Sequence, residues 1–122
     1  MKKAIIQLSE EQMTIFDGLN IQIFNYQDII GIFCDQPYIR IVTTTNSKSI
    51  LIFHSLKEIG QLLTCQFVMC NRSSIINIMY INQVESKEAN NFIHLNNGML
   101  IRIPRRIKAT ILKIIHAQIK DK

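Results

Sequence analysis

The apolar residues of this chain come in short bursts, and that spacing limits what it can fold into. Ile21 to Phe24, Ile29 to Cys34, Tyr38 to Thr45 and Ser49 to Phe53 are rich in Ile, Val, Thr, Phe and Tyr, and Asn25, Asp35, Asn46 and Ser55 follow closely behind them. β-branched and aromatic side chains suit the half-buried surface of a sheet, and runs this short between turn formers fit strands rather than helices. Thr45-Asn46-Ser47-Lys48 joins the last two runs as a hairpin. A second hairpin is expected where Phe92 to Leu95 and Met99 to Ile101 flank Asn96-Asn97-Gly98. Asn-Gly supplies the positive φ angles of a tight primed turn.

Two helices interrupt this pattern. Ser55-Leu56-Lys57-Glu58 has the form of a capping box, in which the serine oxygen and the glutamate each satisfy an unpaired amide of the first turn. It predicts a short helix to about Leu63, with Leu56, Ile59, Leu62 and Leu63 on one face and Gly60 weakening it. Near the C-terminal end, Pro104 suits a first helical position, and Ile107, Ile111, Ile114 and Ile115 recur at spacings of three and four. Arg106, Lys113 and Lys120 fall on the opposite face. The expected fold class is therefore mainly β, with one short internal helix and a C-terminal helix.

A chain of 122 residues with 48% hydrophobic and 19% charged residues fits one folded domain. Residues 1–20 read as an extension to a domain spanning 21–122. Their patches Ala4-Ile5-Ile6 and Met13-Thr14-Ile15-Phe16, separated by Ser9-Glu10-Glu11-Gln12, form either an edge hairpin on the main sheet or an arm that pairs with a second copy.

No apolar run reaches the roughly 18 residues of a membrane span, and Ala4-Ile5-Ile6 is too short for a signal-peptide core, which points to the cytoplasm. Cys34, Cys65 and Cys70 make an odd set without zinc-like spacing, which suits a reducing compartment. Cys65 and Cys70 could join His54 around a metal, but a fourth ligand has no source, and buried cysteine is the common use. His54, His94 and His116 are scattered and read as structural or surface residues. There is no phosphate-cradling loop, nucleophile elbow or dinucleotide fingerprint. No catalytic residue, metal, cofactor or small-molecule substrate is expected. The net charge is +5, and half of the basic residues lie from Arg102 onward, as a phosphate footprint or a solvated helix face.

One segment resists the strand pattern. In FVMCNRSSIINIMYI, Asn71-Arg72-Ser73-Ser74 stands between apolar flanks that would otherwise make one continuous core strand. With DIIGIFCDQPYIRIVT and HSLKEIGQLL before it and HLNNGMLIRIPRR after it, this stretch resembles the LytTR-type DNA-binding domain of bacterial transcription regulators, from about Ile21 to about Ile119. That resemblance implies small antiparallel sheets side by side with one or two short helices, and loops rather than a recognition helix in successive major grooves. Asn71 replaces the family's usual histidine, and Pro104 stands where serine is common.

The resemblance also implies a site. Arg72 would pair two donors with guanine O6 and N7, and Asn71 would pair with adenine or brace its loop. Ser73 and Ser74 suit phosphate oxygens. Tyr38 and Arg105 fall on the family's other base-reaching positions, Arg106 lies beside a helix N-terminus that favours phosphate, and Lys57 and Ser55 would meet the backbone. The expected function is sequence-specific duplex-DNA binding by a bacterial-type transcription regulator, the output domain of a response regulator or a stand-alone protein. It would occupy repeated sites as a homodimer or as side-by-side monomers. The rival readings are a single-strand binder, which lacks exposed aromatic platforms, and a stand-alone module of the same fold that modulates a full-length regulator without reading DNA. Cys70, directly before the loop, would add redox sensitivity if its thiol were reachable.

Overall fold

Residues 2–45, 49–64, 66–87 and 90–120 are described in a computed structural model, in which the short apolar bursts become strands of three antiparallel sheets. The first sheet holds β1 (Ile5–Leu8), β2 (Gln12–Asp17) and β3 (Asn20–Asn25) in that order. The second is built from β4 (Ile29–Asp35), β5 (Tyr38–Thr43), β6 (Ile50–Phe53), β7 (Phe67–Asn71) and β8 (Ser74–Asn77), ordered β6-β5-β4-β8-β7. The third is β11-β10-β9, from β9 (Ile81–Lys87), β10 (Asn90–Leu95) and β11 (Leu100–Arg102). The helices are α1 (Leu56–Gly60), between β6 and β7, and α2 (Lys108–Lys120) at the C-terminal end. The mainly β fold with one internal and one C-terminal helix is the one expected.

The five-stranded sheet is covered on both faces. One cluster joins its Ile29, Ile32, Ile39, Ile41, Ile52 and Ile75 to Met13, Ile15 and Phe24 of the first sheet and to Leu56 and Ile59 of α1. The other joins its Ile30, Val68, Cys70 and Ile76 to Ile93 and Ile101 of the third sheet and to Ile111 and Ile115 of α2. A bulge between Ile29 and Gly31 resets the alternation of β4, so that Ile29 and Ile32 enter one cluster while Ile30 enters the other. Ile32, Ile39, Ile41, Ile52 and Ile75 are at most 1% exposed. Each such side chain contributes about 2 kcal/mol relative to exposure.

Side-chain hydrogen bonds to backbone groups, two of them fully buried, fasten the sheets together. Asn77 is 0% exposed; its Nδ2 donates to the carbonyls of Tyr26 (3.0 Å) and Ile29 (2.9 Å), and its Oδ1 accepts from the Met79 amide at 3.1 Å. Tyr26 donates its hydroxyl to the Ser9 carbonyl at 2.7 Å and packs edge-on against Phe67. Tyr80 donates to the Gln27 carbonyl.

Local expectations fail in four places. Ser55 has the extended backbone of an N-cap, φ −92° and ψ 129°, but its side chain makes no cap bond. Glu58 is drawn instead to Lys3 at 2.8 Å, so the capping box does not form and α1 ends at Gly60. Leu62 is 59% exposed and leaves the apolar face assigned to it. Ile114 of α2 is likewise 37% exposed, at the margin of the buried stripe. The Asn96-Asn97-Gly98 loop is not closed as a tight primed turn: Leu95 N–H donates to Met99 O, Gly98 N–H donates to Leu95 O, and Gly98 carries a positive φ of 92°. The turn at 46–48 lies outside the described residues, as do Cys65 and Lys122.

The N-terminal residues form β1 and β2, which share a sheet with β3. A two-residue turn, Gly18-Leu19, with Gly18 at φ 64°, joins β2 to β3. Ala4 N–H reaches across to the Phe53 carbonyl at 3.0 Å and links this sheet to β6.

Candidate nucleic-acid interface

Strand order brings four distant segments to one end of the five-stranded sheet. The β4–β5 turn pairs Asp35 with Tyr38, Tyr38 pairs with Phe53 beside the β6–α1 junction, and Phe33 of β4 pairs with Ser74 at the β7–β8 turn. The fourth segment is Arg102 to Arg106, between β11 and α2, where a single 3-10 turn, Arg105–Ile107, follows Pro104.

The β7–β8 turn is held from two sides. The Ser73 carbonyl accepts from the Cys34 amide at 2.8 Å, which ties the turn to β4. Asn71 ties it to β11: its Nδ2 donates to the Arg102 carbonyl at 2.7 Å, while its Oδ1 accepts from the Ser73 amide at 2.8 Å. Both ends of the Asn71 amide are thus engaged, and Arg72, next to it, projects into solvent. Ser74 is only 7% exposed, so Ser73 is the hydroxyl that the turn presents outward.

Two depressions adjoin here, and Arg72 lines both. One is formed with Asn71, Ser73, Ser74, Arg102, Arg105 and Arg106; the other with Lys3, Tyr38, His54, Ser55 and Lys57. All of the residues singled out from the sequence therefore gather in one region. Among the described residues, neither depression is lined by a carboxylate. The nearby acids are already matched: Asp35 pairs with Arg40 at 2.6 Å, and Glu58 pairs with Lys3. The hydrogen bond from Lys3 holds the Glu58 carboxyl below its ordinary value, with Lys3 and His54 charges adding to the effect against some desolvation. The field that an approaching anion meets is set by guanidinium and ammonium groups.

Tyr38 is half-buried, its ring edge-on to Phe53 with centroids 6.0 Å apart. Arg102 and Lys3 were not singled out as site residues. Arg102 could have been read from alternation in β11, where Ile101 points inward and its neighbours outward; Lys3 had no local signal. Lys113 is exposed on α2 and lines neither depression. Cys70 is 0% exposed, and burial pushes its thiol up to about 12. An unreachable, un-ionised thiol is inert, which removes the basis for redox sensitivity at this position. Among the described residues no three His, Cys, Asp or Glu side chains gather as a metal site, and no helix is long and apolar enough to cross a membrane.

The fold is shared with a solved structure, the LytTr DNA-binding domain of a protein described as a methyl-accepting/DNA response regulator from Bacillus cereus. The TM-score is 0.72 at 15% sequence identity, covering 88% of this chain and 98% of that one. A comparison with curated proteins found no match. The family model of the LytTr DNA-binding domain matches residues 20–116, a span that contains all four converging segments. On that match, the chain belongs to the LytTR family of DNA-binding domains.

Proposed function

We propose that this chain binds specific duplex-DNA sequences as a bacterial-type transcription regulator of the cytoplasm, either alone or as the output domain of a larger response regulator. One observation carries the reading: residues from four separated segments line two adjoining depressions that share Arg72 and that, among the described residues, hold no carboxylate. The turns at this end enter the major groove. Arg72, exposed on a turn braced from both sides, reads guanine through a two-donor contact. Asn71 acts as the brace, because its amide is engaged with Arg102 and Ser73. Arg105 and Tyr38 reach base edges on either side. Ser73, Arg106, Lys57 and Ser55 hold phosphates, which position the protein without selecting sequence. Ser74 is too buried for that part. Repeated sites would be filled by two copies.

The test is selection of bound duplexes from a random pool, at two salt concentrations, with the wild type and Arg72→Ala. Enrichment of a repeated motif that Arg72→Ala relaxes, at a cost of about 1–3 kcal/mol on the best site, supports the reading. Uniform, salt-labile binding by both proteins overturns it in favour of a module that acts on a full-length regulator.

A further inference from the structure

Among the described residues, β3 is hydrogen-bonded to a neighbouring strand on one side only. The Gly18-Leu19 turn makes Asp17 and Asn20 its closing pair, and the ladder continues in step to the Tyr26 N–H, which donates to Glu11 O at 2.9 Å. By the alternation of an antiparallel ladder, Asn20, Gln22 and Phe24 spend their backbone groups on β2, while Ile21, Ile23 and Asn25 turn theirs outward.

Edge strands are normally blunted by charge, proline, a bulge or a covering element. β9 carries Glu85 and Lys87, β11 carries Arg102, and β7 is packed by α2 and β11. β3, Asn20-Ile21-Gln22-Ile23-Phe24-Asn25, has no charge, no proline and no register break against β2. Its outward side chains are also apolar: Ile21 and Ile23 are 62% and 60% exposed, and Ile21 continues a cross-strand row with Phe16 and Ile5.

We propose that β3 is a docking edge for a second copy of this chain, the two β3 strands pairing antiparallel about a two-fold axis at Gln22. The ladder and the pleat together demand this kind of register. Centred on Gln22, Ile21 of each copy opposes Ile23 of the other on the outer face, and the outward backbone groups of both residues are satisfied. Identical apolar side chains meet, and no charge faces its like.

Charge distribution favours a like partner here. The whole chain carries +5, but residues 2–28 hold Lys2 and Lys3 against Glu10, Glu11, Asp17 and Asp28. The positive excess that would drive copies apart therefore lies elsewhere. One added strand is small beside the roughly 800 Å² per partner of a stable complex, so the contact is weak in free solution. It gains where two copies are held at high effective concentration on one duplex. That use rests on the DNA-binding reading; the contact itself does not.

The full chain, with Cys34→Ser and Cys65→Ser, carries Gln22→Cys or, as a control, Leu19→Cys, and is oxidised without DNA. At the two-fold, the paired Cα atoms are about 4.5 Å apart, within disulfide reach. A covalent dimer forming at least about tenfold faster with Gln22→Cys than with Leu19→Cys is expected, because pre-paired thiols sit far above bulk concentration. The wild-type sedimentation mass should also rise with concentration, and Ile23→Lys, a change at an exposed position, should remain monomeric. Equal or absent cross-linking at the two positions, or a mass unaffected by Ile23→Lys, overturns the proposal. Neither measurement involves DNA, so their failure leaves the duplex selection standing.

Discussion

At one end of the five-stranded sheet, Arg72, Arg105 and Arg106 point into solvent from turns and line hollows in which no described residue is a carboxylate. At the other end, Asn77, Tyr26 and Tyr80 spend side-chain polar atoms on backbone groups, and the described residues lining the cleft there include Glu10 and Glu11 but no lysine or arginine. The same strands run through both. What differs is where hydrogen-bonding capacity goes: inward bonds make the closed end a fastening, while projecting cations leave the open end free for an anionic partner. Asn71 is the exception at the open end, because it behaves like a residue of the closed one.

Breaking the closed end should have the largest effect. Asn77→Ala removes the side-chain donor to the Ile29 carbonyl, one of two donors to the Tyr26 carbonyl and the acceptor of the Met79 amide, and should lower unfolding free energy in urea by about 3 kcal/mol. Binding per folded molecule should stay unchanged. Breaking the open end should do the reverse. Arg72→Ala should cost about 2 kcal/mol of affinity on the best duplex, while its urea midpoint stays near wild type, since an exposed substitution moves stability by only about 0.5 kcal/mol. Equal losses of stability in both variants would erase the distinction between the ends.

The exception can be sharpened next. Asn71→Ala should cost about 1 kcal/mol of affinity by loosening the turn. A double-mutant cycle with Arg72→Ala should show less than additive loss, because the brace acts through the guanidinium it positions. Strict additivity would make Asn71 an independent contact. Further from the open end, Lys113→Ala should weaken all duplexes alike and reduce the salt slope by about one unit. A sequence-dependent effect would extend the reading surface onto α2.

Smallest is the acid dependence of the Lys3–Glu58 pair. Glu58 has its pKa lowered by folding, so its contribution is present above the ordinary carboxylate value of 4.5 and disappears as pH falls through the lower folded value. Lys3→Met should flatten the urea-midpoint profile in that acidic window and leave neutral pH almost unchanged.

Most strands and both helices were legible because their signals are local, whereas β9, Ile81–Lys87, was not read as a strand. Alternation in Tyr38 to Thr43, or the recurrence of Ile107, Ile111 and Ile115, expresses which side of a backbone faces oil and which faces water. The ordered segments that resemble the family singled out residues that the fold gathers at one end of the sheet. Ser74 was the residue most clearly misjudged as a phosphate donor, since a serine beside a turn reads as polar surface until its strand is seen within a sheet.

By itself, then, the sequence determined a mainly β chain, its turns, the positive C-terminal end and the polar interruption at Asn71 to Ser74. Tertiary structure alone decided which partners the side chains would take. Glu58 abandons the adjacent cap for Lys3, 55 positions away, and Asn71 chooses the Arg102 carbonyl, 31 positions on. Such choices depend on the order β6-β5-β4-β8-β7, which brings the four segments to one end of the sheet. A hydrogen bond acts over about 3 Å of space whatever the distance along the chain, so its partner cannot be read until the sheets are assembled.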